Sequence, residues 1–236
     1  MKCRILFLLT VTALVSGCHW QCSGAAFART GENDLISAGE EFEEPSAAPD
    51  TVFTSEPIPP EVEARIRGIS YPDNATIPLG DLRYLRLSYV DFDDVPQVGE
   101  LICNKQIADD LLDIFRKLYE ARYPIKSIRL IDEFGGSDDA SMEADNTSCF
   151  NYRPVSGGRS LSKHALGLAI DVNPLENPYV KGDKVLPPAG APFVDRERPF
   201  AHKIDRSDLC YRLFIAHGFI WGGNWRTLKD YQHFEK

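Results

Sequence analysis

Between Glu32 and Glu63 the chain carries ten acidic residues, no Lys or Arg, and the prolines Pro45, Pro49, Pro57, Pro59 and Pro60. Like charges in one run repel each other, and so few apolar side chains cannot bury enough surface to offset the entropy of ordering the segment. A packed core is therefore expected only beyond it. The reading divides the chain into residues 1–17, 18–64 as a disordered, acidic, Pro-containing tether, and 65–236 as one folded domain. The formal charge of -9 over 236 residues belongs mostly to the tether, which leaves the domain nearly neutral. Nothing in this balance supplies the basic surface that phosphate backbones need, so nucleic acid is excluded as a partner.

Residues 1–17 have a basic start, Lys2 and Arg4, followed by an apolar run from Ile5 to Val15. This is the composition of an export signal, and the run is too short to span a bilayer. Val15-Ser16-Gly17-Cys18 resembles the lipobox of bacterial lipoproteins, which implies a lipid anchor at Cys18 and a place on a membrane of the bacterial cell envelope. The alternative is cleavage after Ala28 in Ala26-Phe27-Ala28, giving a secreted or periplasmic protein. An exported chain can form disulfides, but the domain holds three cysteines, Cys103, Cys149 and Cys210. At least one is then free or paired with Cys22.

Within the domain, Ile107, Leu111, Leu112, Phe115, Leu118 and Tyr119 recur at helical spacing, so a helix is expected over 107–122, stopped by Pro124. A strand is expected over 125–131. A second helix is expected over 208–217, capped by Ser207 and closed by Gly218. Further strands are expected over 168–173 and 231–235. Helices and short strands without a repeating βαβ rhythm predict an α+β fold, with a mainly antiparallel sheet flanked by helices.

The segment from Ser160 to Pro174 carries the chemistry. If 168–173 is a strand, Leu168, Ile170 and Val172 face the core, and Gly167, Ala169 and Asp171 face the other way. A carboxylate among small residues leaves space for a metal or substrate, with His164 just before the strand turned towards it. Asp171 opening a turn at Asn173-Pro174, with His164 on the surface, is an equally weighted reading of the spacing alone. The run from Trp221 to Lys236 shifts that balance, because it places His233 in a β-favouring segment three residues after Asp230.

Together, Ser162-x-His164-x-x-Gly167-x-Ala169-x-Asp171 and Asp230-x-x-His233 resemble the zinc D-alanyl-D-alanine carboxypeptidase and L-alanyl-D-glutamate endopeptidase family, which includes VanY-like enzymes and phage endolysins. The resemblance extends through Asn146 to Arg153, Asn177-Pro178-Tyr179 and Trp221-Gly222-Gly223. It implies a hedgehog/D,D-peptidase-like single domain in which His164, Asp171 and His233 hold one Zn2+, leaving a fourth position for water. It also implies Asp230 as general base and peptidoglycan stem peptides as substrate. Arg153, with Arg159 as its competitor, is the candidate cation for the substrate carbonyl or oxyanion. Ser162 is the candidate for a hydrogen bond near the metal or the substrate. Because Asp230 and His233 differ by an odd number, an extended strand would send them to opposite faces, so Asp230 is expected in the turn before the strand. His202 reads as a loop residue, and His217 as a helix-end imidazole. Trp221 reads as core, and Trp225 as core or cleft. The competing function is a zinc-containing, cell-wall-binding lipoprotein without catalysis, as in the hedgehog signalling domain.

Overall fold

The computed structural model describes residues 50–155 and 160–236. The export signal, Cys18, Cys22, the Ala28 cleavage position, most of the acidic run and Arg159 lie outside the described residues.

Order begins earlier than the charge pattern suggests, and the tether boundary at residue 64 is corrected. Phe53–Pro57 form strand β1 and Pro60–Ile66 form helix α1. β1 pairs antiparallel with β2, Leu82–Val90, with Phe53 opposite Leu87. α1 starts on a proline, where a missing N–H costs nothing, and has Glu61 and Glu63 in its first turn. It buries Val62 and Ile66, four residues apart on one face. The acids here sit on outward faces of elements that dock through a few apolar positions, so charge density along the chain does not register them.

β3, Pro96–Asn104, pairs with the full length of β2. Helix α2, Ala108–Glu120, falls inside the expected 107–122 and buries Leu111, Ile114, Phe115 and Leu118 against that sheet. At about 1.5–3 kcal/mol for each such side chain, this face anchors the helix. The strand expected over 125–131 shrinks to β4, Ser127–Ile128, parallel to β5, Asn146–Thr147. Past Ile128 the Asn146 side chain takes both the N–H and the C=O of Arg129, so no neighbouring strand is needed there. Between them lies α3, Asp138–Glu143, capped by Ser137.

The remaining elements build the other side of the domain. They are β6 (Ala169–Asp171), β7 (Tyr179–Lys181), β8 (Lys184–Leu186), α4 (Leu209–Ala216), β9 (Ile220–Trp221), β10 (Lys229–Asp230) and β11 (His233–Glu235). α4 is capped by Asp208 rather than Ser207: the Asp208 carboxylate accepts from the N–H groups of Cys210 and Tyr211, while Ser207 turns back to Asp205. Gly218, at φ +81°, ends the helix as expected. Among the described residues the antiparallel pairing is divided into three small sheets, β1-β2-β3, β10-β7-β8 and β6-β11-β9. The fold is α+β and mainly antiparallel. Ile170 of β6, Val172 just after it, Phe214 of α4, Trp221 and Phe234 all enter the same core as α2. Cys103, Cys149 and Cys210 are buried free thiols, each raised in pKa by burial.

The connection after β6 is closed by two buried carboxyls. Asp145 accepts from the N–H of Leu175 through Oδ1 and faces the Glu176 side chain. Burial and the neighbouring Asp145 push Glu176 up to about 8. The unfolded chain releases this proton near the ordinary value of 4.5, whereas the folded chain keeps it to about 8, so stability is lost as pH rises across that window. Glu176→Gln is therefore expected to melt close to wild type at pH 5 and several degrees above it at pH 8. Equal melting temperatures at both pH values would contradict a shared proton.

Candidate metal centre

Three donors converge where β6 meets β11. In that antiparallel pair His233 stands directly opposite Asp171. His164 arrives from the short helical turn His164–Leu166 that precedes β6. One ligand-type atom from each of the three lies within 4.8 Å of the others, and all three residues are buried. His164 Nε2 is 3.2 Å from Asp171 Oδ2 and 3.2 Å from His233 Nδ1, and the latter is 3.0 Å from Asp171 Oδ1.

Each side chain is held from behind. His164 Nδ1–H donates to the Cys149 carbonyl at 2.6 Å, which turns Nε2 inward. His233 Nε2 faces Glu235 Oε2 at 3.2 Å, leaving Nδ1 for the centre. A ligand histidine braced by a carbonyl or carboxylate is the usual outer arrangement of a metal site. Asp171 is clamped through its backbone by Ser148, which exchanges N–H and C=O bonds with it.

The turn carrying His164 docks on the end of β3. Gly167 is at φ +65°, and a Cβ there would lie 2.6 Å from the Asn104 backbone nitrogen. Its lack of a side chain thus allows backbone approach to β3, not space at the metal position as the alternation suggested. Ile170 and Val172 face the core as expected.

Electrostatics favour a cation at the centre. Burial alone would raise the Asp171 pKa, but the two imidazoles outweigh it and hold the carboxyl well below its usual range. Burial alone would lower His233, yet Asp171 and Glu235 push it up to about 10. A buried carboxylate that draws positive charge onto its neighbour, with two inward-turned imidazole nitrogens, is a donor set suited to a divalent metal with an open position.

Beside the trio opens a cleft of about 330 Å³ lined by Arg153, Ser162, Tyr179, Lys181, Trp225, Asp230 and Gln232, among others. Asp230 ends β10 and pairs with Tyr179 of β7, so it precedes β11 as the parity argument requires but in a short strand of its own rather than in the turn. Gly222 seats it: a Cβ at Gly222 would lie 2.6 Å from the Asp230 carbonyl oxygen. Burial pushes the Asp230 carboxyl up to about 6, and its Oδ1 has no hydrogen-bond partner. Arg153 is held by Asp138 at 2.6 Å, with its Nε unpartnered. Ser162 Oγ accepts the N–H of His164 at 3.2 Å, so in this structure it shapes the ligand turn. His202 stacks on Phe92, and His217 bridges Asp110 and Asp113; both lie away from the cleft. Trp221 is core, and Trp225 lines the cleft against His233.

Glu235, Asp138 and Gln232 were not singled out from the sequence, and Gly222 was noted only as part of the Trp221-Gly222-Gly223 run. The first two carried a signal that went unused: an acid two residues after a histidine in a strand shares its face, and an acid opening a helix is a natural Arg partner.

A buried His-Asp-His trio opening onto a cleft that holds a separate carboxyl of raised pKa is an arrangement suited to metal-assisted hydrolysis. Residues 156–236 match the model of the D-alanyl-D-alanine carboxypeptidase family, and it is to this family that the segment is similar. No curated protein and no solved structure matches the chain.

Proposed function

We propose that the protein is a zinc-dependent peptidase of peptidoglycan stem peptides, either a D-Ala-D-Ala carboxypeptidase or an L-Ala-D-Glu endopeptidase. The observation that carries this reading is the buried trio His164, Asp171 and His233 beside Asp230 in one cleft. The three would hold one Zn2+, which when bound supplies Lewis acidity and a more acidic water. Asp230 takes the proton of the attacking water as its oxygen bonds to the scissile carbonyl carbon. It then returns that proton to the leaving nitrogen as the C–N bond breaks. The raised pKa of Asp230 suits both steps, because a carboxylate of ordinary acidity would be a weaker base. Arg153, oriented by Asp138, presents an N–H towards the developing oxyanion. Ser162 supports His164 from behind.

The test uses the zinc-loaded protein and L-Ala-D-Glu-diaminopimelate-D-Ala-D-Ala, with products identified by mass. Loss of one D-Ala marks a carboxypeptidase, and release of L-Ala marks an endopeptidase. Stoichiometric zinc with neither product, here and on cross-linked muropeptides, would favour a cell-wall-binding lipoprotein without catalysis. The presence of both the candidate ligands and the candidate base supports the catalytic reading over that one.

The lipobox supports a cell-envelope location with a lipid anchor at Cys18. No helix among the described residues is long and apolar enough to cross a membrane. Cys18→Ser is expected to move the protein from the membrane to the soluble fraction. Unchanged fractionation would leave cleavage after Ala28 or another mode of attachment.

A further inference from the structure

Among the described residues five buried side-chain atoms lack a hydrogen-bond partner: Asp145 Oδ2, Arg153 Nε, Glu176 Oε2, Asp230 Oδ1 and Gln232 Oε1. Buried polar atoms are nearly always paired, so each of these asks for an explanation. Asp145 and Glu176 face each other, and one proton shared between them would satisfy both oxygens. The other three residues all line the cleft. Asp230 is accounted for by the water it would deprotonate, and Arg153 by a substrate carbonyl. Gln232 is left over.

Gln232 occupies the link between β10 and β11, one residue before His233. Its backbone carbonyl accepts from Val172 N–H, which locks the residue to the metal strand. Its side chain is only 3% exposed, with Nε2 3.4 Å from Met142 Sδ. Gln232 and Asp230, two residues apart, line the same cleft. A neutral amide held this rigidly beside the base, with its oxygen unmet, has an acceptor to offer. A carbonyl-type oxygen takes N–H or O–H donors, and an extended peptide presents backbone N–H groups along its length.

We propose that Gln232 positions the substrate, its Oε1 accepting a backbone N–H of the bound peptide beside the scissile bond while its amide nitrogen rests against Met142. Arg153 and Gln232 then read complementary parts of a peptide, carbonyl and N–H, and fix its direction through the cleft. This rests on the peptidase reading for its substrate class. It predicts that a peptide unit lacking that one N–H is handled poorly.

The experiment is a double-mutant cycle on the zinc-loaded, full-length protein. The stem pentapeptide is compared with analogues in which each non-scissile N–H in turn is replaced by an ester oxygen. Wild type is expected to lose about ten- to hundredfold in kcat/KM on one analogue, the range for stranding a buried acceptor. Gln232→Leu is expected to lose a similar factor on the parent peptide and nothing further on that analogue, with zinc stoichiometry unchanged. Losses that multiply independently at every position would overturn the contact. If Gln232→Leu does not fold, Gln232→Met, of similar volume, carries the same comparison. If the parent peptide is not cleaved, the cycle is read on Kd instead. Coupling there supports Gln232 while refuting the peptidase reading, and a peptide neither cleaved nor bound overturns both.

Discussion

Asp230→Ala is expected to bind zinc with wild-type stoichiometry and to lose about a hundred- to ten-thousandfold in kcat, the range supplied by a positioned general base. The separation of the two effects follows from the architecture. Asp230 belongs to β10 and is held by β7 and Gly222, whereas the candidate ligands are carried by β6, β11 and the turn before β6. Removing the carboxyl leaves the β6–β11 pairing intact. It also removes a buried acid that burial has already raised to about 6, so the variant should fold at least as well as wild type. Metal content by elemental analysis, beside a progress curve on the stem pentapeptide, decides the matter. Full activity in Asp230→Ala would remove the carboxylate from the reaction and move the base elsewhere in the cleft.

His164→Ala is expected to behave differently, losing metal and activity together. His164 supplies one of three converging donors, and its Nδ1 bond to Cys149 ties the ligand turn to the core. Altering an outer partner of a ligand commonly costs ten- to a hundredfold in metal affinity, so loss of a ligand should exceed about a hundredfold. Titration with a competing chelator measures this directly. Retention of tight stoichiometric zinc by His164→Ala would show that the metal is held by another set of residues. Read together, the two variants distinguish a base from a ligand, which activity alone cannot do.

The candidate site was legible in the chain to the extent that its chemistry demands side-chain identity at fixed spacing. His164, Asp171, Asp230 and His233 line one cleft because two short motifs place them at strand ends or, for His164, in the turn just before a strand. Even the parity argument for Asp230 has a physical counterpart, since the break between β10 and β11 at Tyr231 and Gln232 lets an odd separation share one cleft. What was not legible depends on tertiary partners. Gly167 reads as a small residue beside a carboxylate, and only the approach of Asn104 shows that it serves the backbone of β3. Ser207 and Asp208 are adjacent acceptors, and the choice of cap depended on Asp205 occupying Ser207. The first ordered elements escaped notice because Val62 and Ile66 are outnumbered by acids, although two buried side chains on one face suffice to dock a short helix.

The pairing of β6 with β11 brings together residues 62 positions apart in the chain. A shift of one residue in that pairing would turn His233 to the opposite face of the sheet and set Gln232 or Phe234 opposite Asp171 in its place. On the proposed reading, metal affinity is therefore also a readout of alignment. A chain that has collapsed, formed its helices and filled its core, yet joined these two strands one step out of line, would be nearly indistinguishable by spectroscopy of its secondary structure. It would be exposed at once by its failure to retain a metal.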